Sequence, residues 1–115
     1  MREAIRDRGR LEHIIECINN VFEFTKDKTF EQILQDKMCY YAVVHQIVII
    51  GEASNLLTKE FKEKHSKTPW REIISMRNFI VHGYEIVSKN EILSVLRHDL
   101  LPLKSQIEEY LKEEF

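Results

Sequence analysis

The sequence has few of the residues that turn or end a chain. Its 115 residues include three glycines and two prolines, which leaves little of the turn chemistry that a protein of many short strands requires. Apolar residues recur instead at intervals of three and four, the spacing of amphipathic helices. We therefore predict an all-α fold, an up-and-down bundle of four principal helices with one or two short helices. A chain of this length suits one domain, which we assign to residues 1–115.

The chain also lacks an excess of charge and any metal-binding pattern of cysteines. Its net charge is −2 and its sequence pI is about 6.2. This balance argues against a protein that coats nucleic acid, although a local basic site remains possible. Cys17 and Cys39 fall within predicted helices and match no metal-ligand spacing. Two unmatched thiols without a signal-peptide pattern are typical of a reduced, cytoplasmic protein.

Long hydrophobic runs are absent as well. The longest apolar stretch covers residues 40–51 and is interrupted by His45 and Gln46. It is too short to span a bilayer, for which about 20 apolar residues are needed. We expect no membrane among the partners of this protein.

Helix boundaries follow from capping residues and apolar periodicity. The predicted helices are one over residues 3–26, a short one after a Thr29–Gln32 capping box, one over residues 36–57, one that begins at Pro69-Trp70, and one that begins at Ser88 and is kinked or restarted at Pro102. Gly83 is expected to end the helix that begins at Pro69. Residues 59–67 are rich in charge, and we predict a solvated loop there.

The helix predicted over residues 36–57 has apolar residues on nearly all sides, which indicates a central, buried helix. Its few polar side chains lie within about 80° of one another on a helical wheel: Tyr41, His45, Glu52 and Asn55. A carboxylate that leaves water needs a cationic or hydrogen-bonding partner. We predict that Glu52 pairs with Arg77 or His82. An equally favoured alternative is that Glu52 caps a neighbouring backbone or lies in water at the helix end.

The most informative segment carries a cation, an amide, an imidazole and a phenol within eight residues. On a helical wheel these side chains fall, with Val81, in one arc of roughly 160°: Arg77, Asn78, His82 and Tyr84. Phe79, Met76 and Ile80 lie on the opposite arc and are predicted to dock on the core. An arginine that binds a phosphate beside a histidine that transfers a proton suits phosphodiester chemistry. The alternative is an ordinary solvated polar face.

Together these motifs resemble the HEPN superfamily, and more narrowly the HepT-like toxins, which pair with a minimal nucleotidyltransferase antitoxin of the MntA type. The resemblance covers nearly the whole chain. It is carried by the Ile50-Gly51-Glu52-Ala53 segment, by Pro69-Trp70, by the Arg-Asn-(three residues)-His-(one residue)-Tyr string of residues 77–84, and by a Leu-Pro helix near the C-terminus. It implies a homodimeric helical bundle that cleaves RNA without a metal ion or another cofactor.

The resemblance also implies roles for individual residues. Arg77 and His82 match the catalytic pair, and Asn78 matches the polar residue that follows the arginine. Tyr84 matches the tyrosine to which the partner enzyme transfers AMP. Glu52 is the further supporting residue that we expect beside the catalytic pair.

Residue chemistry leads to a similar expectation. RNA cleavage by its own 2′-hydroxyl requires a base, an acid and a cationic clamp, but no metal ion. The histidines are scattered without paired ligand spacing: His13, His45, His65, His82 and His98. Because one motif supplies one histidine, we expect a twofold homodimer in which two copies of residues 77–84 face each other.

Two other interpretations stay open from the sequence. The same face would also suit a non-catalytic module that binds a nucleotide or a partner nucleotidyltransferase, and a purely structural bundle is the third possibility. RNA turnover in metal-free buffer, abolished by His82→Ala, distinguishes the ribonuclease from both.

Overall fold

The computed structural model describes residues 2–83 and 89–115, with side chains for residues 6–82 and 89–115. Every regular element in these residues is helical. In chain order the elements are α1 (Arg2–Phe24), α2 (Phe30–Gln35), α3 (Lys37–Leu56), α4 (Lys59–Lys64), α5 (Trp70–Gly83), α6 (Lys89–Ser94), a π-helical segment (Val95–Asp99) and α7 (Leu100–Glu114). The all-α prediction is confirmed. Four helices are long, as predicted, but three rather than one or two are short.

The core lies where α3 packs against α1 and α5 and where α1 packs against α7. Side chains from all these helices contribute to it, and the most deeply buried include Leu11, Ile14, Ile18, Val21, Val43, Ile50, Ile107 and Tyr110. Each fully buried large apolar side chain stabilises the fold by roughly 1.5–3 kcal/mol. Cys17 and Cys39 are free and buried in the same core. Burial, with a smaller contribution from the charge of Glu16, raises the pKa of the Cys17 thiol to about 11.

Capping side chains fix several helix starts near their predicted positions. The Thr29 hydroxyl accepts a hydrogen bond from the Gln32 N–H at 3.2 Å, and Gln32 Oε1 accepts one from the Thr29 N–H at 2.9 Å. The predicted capping box at the start of α2 is therefore confirmed. Asp36 begins α3, because its carboxylate accepts the Cys39 N–H at 3.1 Å. α5 is described as far as Gly83, and the prediction that the helix ends there falls on residues 84–88, outside the described part of the chain.

The prediction of a loop over residues 59–67 is wrong, because α4 occupies most of that segment. The Thr58 hydroxyl accepts the Phe61 N–H at 3.2 Å and so caps the helix. Asp7 of α1 holds Thr58 in turn, accepting its backbone N–H at 2.9 Å and its hydroxyl at 2.7 Å. The ring of Phe61 is buried. One capping residue and one buried apolar residue are enough to hold this short helix, whose other residues are charged.

The irregularity predicted at Pro102 lies in the turns just before it. Proline has no N–H to donate, and its ring would crowd the carbonyl four residues earlier. The chain avoids this conflict by widening to a π-helix, in which the Leu100 N–H bonds the Val95 carbonyl five residues back. α6 and α7 are thereby joined without a break.

α3 is buried on most sides, as expected, but one stripe of it is exposed. Met38 and Tyr41 are 86% and 65% exposed, and Leu56 is exposed too. The four polar residues grouped on the helical wheel do share a face, and they lie on its exposed part: Tyr41, His45, Glu52 and Asn55. Apolar residues surround α3, but α1 and α5 cover only part of its circumference. One stripe of α3 therefore faces solvent in the single chain.

Candidate active site

The candidate site forms where α5 crosses α3. The stem of Arg77 lies directly over Gly51, so closely that a Cβ atom built on the glycine would be 2.2 Å from the Arg77 Cβ. Ile73, Met76 and Ile80 of α5 pack against the core on the same side of the helix. The face of α5 that docks on the core therefore reaches as far as Arg77. This contact leaves the arginine side chain partly enclosed, with 28% of its surface exposed.

Glu52 and Asn78 hold the Arg77 guanidinium from two sides. Nη2 of Arg77 donates to Glu52 Oε1 at 3.4 Å, and Nη1 donates to Asn78 Oδ1 at 3.0 Å. The predicted pairing of Glu52 with Arg77 is confirmed, although Glu52 is 49% exposed rather than buried. An exposed ion pair of this kind adds at most about 1 kcal/mol to stability. Its main consequence is the orientation of the guanidinium.

His82 lies on the exposed surface of α5, one and a half turns after Arg77. No hydrogen bond or ion pair joins its imidazole to another residue of the described chain. Of the two partners predicted for Glu52, the structure therefore shows Arg77 and not His82. Asn78 and Val81 are also exposed on this part of α5. Tyr84, the fourth member of the predicted motif, lies outside the described residues.

Some large apolar side chains of these helices are also exposed. Phe79 is 56% exposed, and the prediction that it docks on the core is wrong. The docking face is centred nearer to Ile73 and Ile80, so Phe79 falls at its edge. We call the exposed surface formed where these two helices cross the α3–α5 face, and define it by Glu52, Arg77, Asn78 and His82. It combines a cation held by two partners with an exposed imidazole.

A separate apolar cavity of about 230 Å³ lies between α3, α5, the π-helical segment and α7. Ile50, Met76 and Leu103 are among its lining residues. Neither Arg77 nor His82 lines it, so the candidate site is an open surface and not this pocket. Among the described residues no group of three or more His, Cys, Asp or Glu side chains is arranged to hold a metal ion. None of the described helices is long and apolar enough to cross a membrane.

Sequence reasoning missed the role of Gly51 in this site. A glycine inside a helix costs roughly 1 kcal/mol relative to alanine, so its presence in α3 was a signal of close packing. The exposed stripe of α3 did carry a signal, because the polar residues grouped on the helical wheel lie on it. The fold and the site together define a class of helical bundle that carries an Arg-(four residues)-His motif on an exposed face.

Comparison with known proteins identifies the family. Residues 14–110 match the family described as Ribonuclease HepT-like. A Thermococcus cleftensis protein named probable ribonuclease HepT is 37% identical over 102 residues, which span 89% of this chain and 93% of its own. The chain therefore belongs to the HepT-like ribonuclease family, and the resemblance seen in its motifs is confirmed.

Further relatives cover the chain to a similar extent. A protein of Caldanaerobacter subterraneus subsp. tengcongensis, named as a candidate RNase, is 38% identical over 107 residues, 93% of this chain and 96% of its own. One of Methanocaldococcus jannaschii with a similar name is 35% identical over 95 residues, 83% of this chain and 87% of its own. No solved structure matches the chain.

Proposed function

We propose that this protein is a metal-independent endoribonuclease and the toxin of a HEPN and minimal nucleotidyltransferase toxin–antitoxin pair. Membership of the HepT-like ribonuclease family supports the activity. The observation that carries the proposal is the Arg77 guanidinium, which Glu52 and Asn78 hold on the exposed face that also bears His82. In this proposal residues 1–115 form one cytoplasmic HEPN-like domain.

In this mechanism Arg77 stabilises the charge on the phosphate, and His82 transfers protons. The guanidinium binds the scissile phosphate through its paired N–H groups and offsets the charge that develops there. One imidazole removes the proton of the 2′-hydroxyl, whose oxygen attacks phosphorus. A second, protonated imidazole donates to the departing 5′-oxygen. The P–O5′ bond breaks, and the products are a 2′,3′-cyclic phosphate and a 5′-hydroxyl.

A homodimer supplies the second histidine. Met38 and Tyr41 of α3 and Phe79 of α5 leave apolar surface exposed on the two helices that form the site, and burying such surface between two copies would be favourable. A twofold axis there would bring two arginines and two histidines into one cleft. Sedimentation at micromolar concentration should give a mass twice 13.8 kDa. A monomer at that concentration would contradict the composite site.

RNA cleavage by the purified protein in EDTA tests the activity. Arg77→Ala and His82→Ala should each reduce the rate by about 1,000-fold or more, because each removes a charge clamp or a proton-transfer group. Their helical circular dichroism should be unchanged, since His82 is exposed and Arg77, although partly enclosed, is not part of the apolar core. His13→Ala, which removes an exposed imidazole of α1, serves as the matched control and should cleave normally.

The products distinguish the mechanism from its alternatives. They should carry 2′,3′-cyclic phosphate ends. Cleavage that disappears in EDTA would indicate a metal-dependent reaction. RNA or nucleotide binding without turnover would favour the non-catalytic module.

The antitoxin is proposed to act on Tyr84, two residues after His82 in the sequence. Transfer of AMP from ATP to the phenol would place a phosphate close to Arg77 and an adenosine where RNA must enter. Intact-mass spectrometry after incubation with the partner nucleotidyltransferase and ATP should show AMP on the wild type and none on Tyr84→Phe. Equal AMP on the Phe variant, or full RNA cleavage by the modified wild type, would refute this control mechanism.

A further inference from the structure

Gly51 lies in the C-terminal third of α3, where it meets α5 more closely than any side chain would allow. A Cβ atom at this position would be 2.2 Å from the Arg77 Cβ, 3.0 Å from the Arg77 Cγ and 3.2 Å from the Ile73 carbonyl oxygen. Gly9, a glycine of α1, has no atom within 4 Å of the corresponding position. The two helical glycines therefore differ in what surrounds them.

The obstacles around Gly51 cannot move independently of the helix that carries them. A Cβ atom is fixed by its backbone, and so is a carbonyl oxygen, so no rotamer change of Arg77 relieves the overlap. Carbon atoms in contact are about 3.5–4.0 Å apart. A methyl group at residue 51 would therefore push α5 away from α3 by roughly 1.5 Å.

Such a displacement would act directly on the guanidinium. Gly51 contacts the stem of Arg77. Oε1 of the next residue, Glu52, accepts a hydrogen bond from Arg77 Nη2 at 3.4 Å. Gly51 and Glu52, two consecutive residues of α3, therefore determine the positions of the Arg77 stem and of its guanidinium, respectively. Moving α5 while Glu52 stays on α3 would lengthen the ion pair and shift the guanidinium over the surface.

We propose that Gly51 is a positioning residue for RNA cleavage, in addition to any contribution it makes to packing. This inference rests on the proposed ribonuclease function, because it assigns Gly51 the task of placing the Arg77 guanidinium at the scissile phosphate. A misplacement of about 1 Å can reduce the rate of a reaction by roughly 100-fold. Gly51→Ala should therefore lose about that factor in kcat.

The first test compares Gly51→Ala with Gly9→Ala at a temperature where circular dichroism shows both variants fully folded. Gly51→Ala should lower kcat far more than it raises KM, because RNA still meets the surface while the transition state loses its clamp. Gly9→Ala should cleave RNA as the wild type does and have a slightly higher Tm, since alanine is the better helix former. A folded Gly51→Ala with wild-type kcat would overturn the proposal.

The second test uses Arg77→Gly, which removes the Cβ that the new methyl group would strike. Gly51→Ala should lower the Tm of the otherwise wild-type chain by roughly 5 °C or more. In the Arg77→Gly background the same change should lower it much less. If Gly51→Ala alone does not fold but the double variant does, the close approach to Arg77 is supported. Equal losses in both backgrounds would overturn it.

The two tests separate failure of the inference from failure of the function. If the wild type cleaves RNA and Gly51→Ala cleaves it equally well, the positioning role alone is wrong. If the wild type does not cleave RNA, the proposed function fails and the positioning role fails with it. The Tm comparison still reports on the Gly51–Arg77 contact in that case.

Discussion

Two regions of this molecule differ in whether their polar side chains are buried and bonded to one another or remain accessible to solvent. We call the first the α4–α7 junction and define it by Phe61, His65, Thr68, Trp70, Tyr110 and Glu114. There the Thr68 hydroxyl bonds the Tyr110 hydroxyl and the Gln106 side chain, and His65 bonds Glu114. The Trp70 Nε1–H donates to the His65 carbonyl at 3.1 Å. The rings of Phe61, His65 and Tyr110 pack against one another.

The α3–α5 face keeps its polar groups accessible. His82 is exposed without a partner in the described chain, and the Arg77–Glu52 pair remains partly in water. Met38 and Tyr41 of α3 and Phe79 of α5 are exposed as well, although such side chains are favourable to bury.

The difference indicates what each region contributes. At the junction, buried polar groups are bonded to one another, as a folded core requires. On the α3–α5 face, the Arg77 guanidinium is held by Glu52 and Asn78 but stays partly exposed, and no described residue bonds the exposed His82. Changes at the junction should therefore act on stability, and changes on the face should act on activity.

The largest effect expected at the junction is that of Tyr110→Ala. Tyr110 is 1% exposed and fills the space between Phe61, His65 and Trp70. Its removal should lower the free energy of unfolding by about 3–5 kcal/mol, as for other buried aromatic residues replaced by alanine. Urea unfolding measures this loss. RNA cleavage per folded molecule should persist if the two regions are separate.

Leu101→Ala is the matched control for that change. Leu101 is a large apolar residue of the same helix, but it is exposed. Its truncation should change the free energy of unfolding by no more than about 0.5 kcal/mol. A Tyr110→Ala variant that folds stably yet cleaves RNA poorly would break the distinction between the junction and the face.

The sequence predicted those parts of the fold that local chemistry determines. The Thr29 capping box and the start of α3 at Asp36 are each set by one or two neighbouring residues, and both lie where they were expected. α4 was missed because its hold on the core depends on Phe61 and on Asp7, a residue 51 positions from the Thr58 that it binds. Periodicity cannot detect a single turn anchored in this way.

The candidate site was predicted in its composition better than in its geometry. A carboxylate on an apolar helix correctly indicated the pairing of Glu52 with Arg77. The wheel did not reveal that Phe79 is exposed, although it did group the polar residues of α3 that lie on the uncovered stripe. Which side of a helix is covered depends on neighbours distant in sequence, and a helical wheel contains no information about them. Catalytic roles for Arg77 and His82 stay predictions.

The smallest effect should come from Glu114→Gln, which tests the edge of the junction through its pH dependence. Partial burial of Glu114 opposes its ionisation, but hydrogen bonds from Lys64 and His65 outweigh it and lower the pKa of the carboxyl below its ordinary value of 4.5. A group whose pKa is lowered by folding stabilises the protein above its unfolded pKa, and this contribution is lost as the pH falls through the folded pKa.

Glu114→Gln should therefore reduce the free energy of unfolding by about 1 kcal/mol at pH 7. Near pH 3 the wild-type carboxyl is itself largely protonated in the unfolded chain and increasingly so in the folded one, so the difference between the two proteins should shrink. Urea unfolding at both pH values measures it. Glu113→Gln, which removes an exposed carboxylate one residue earlier, should have little effect at either pH. If the deficit of Glu114→Gln is the same at pH 3 as at pH 7, the carboxylate does not stabilise the junction through its charge.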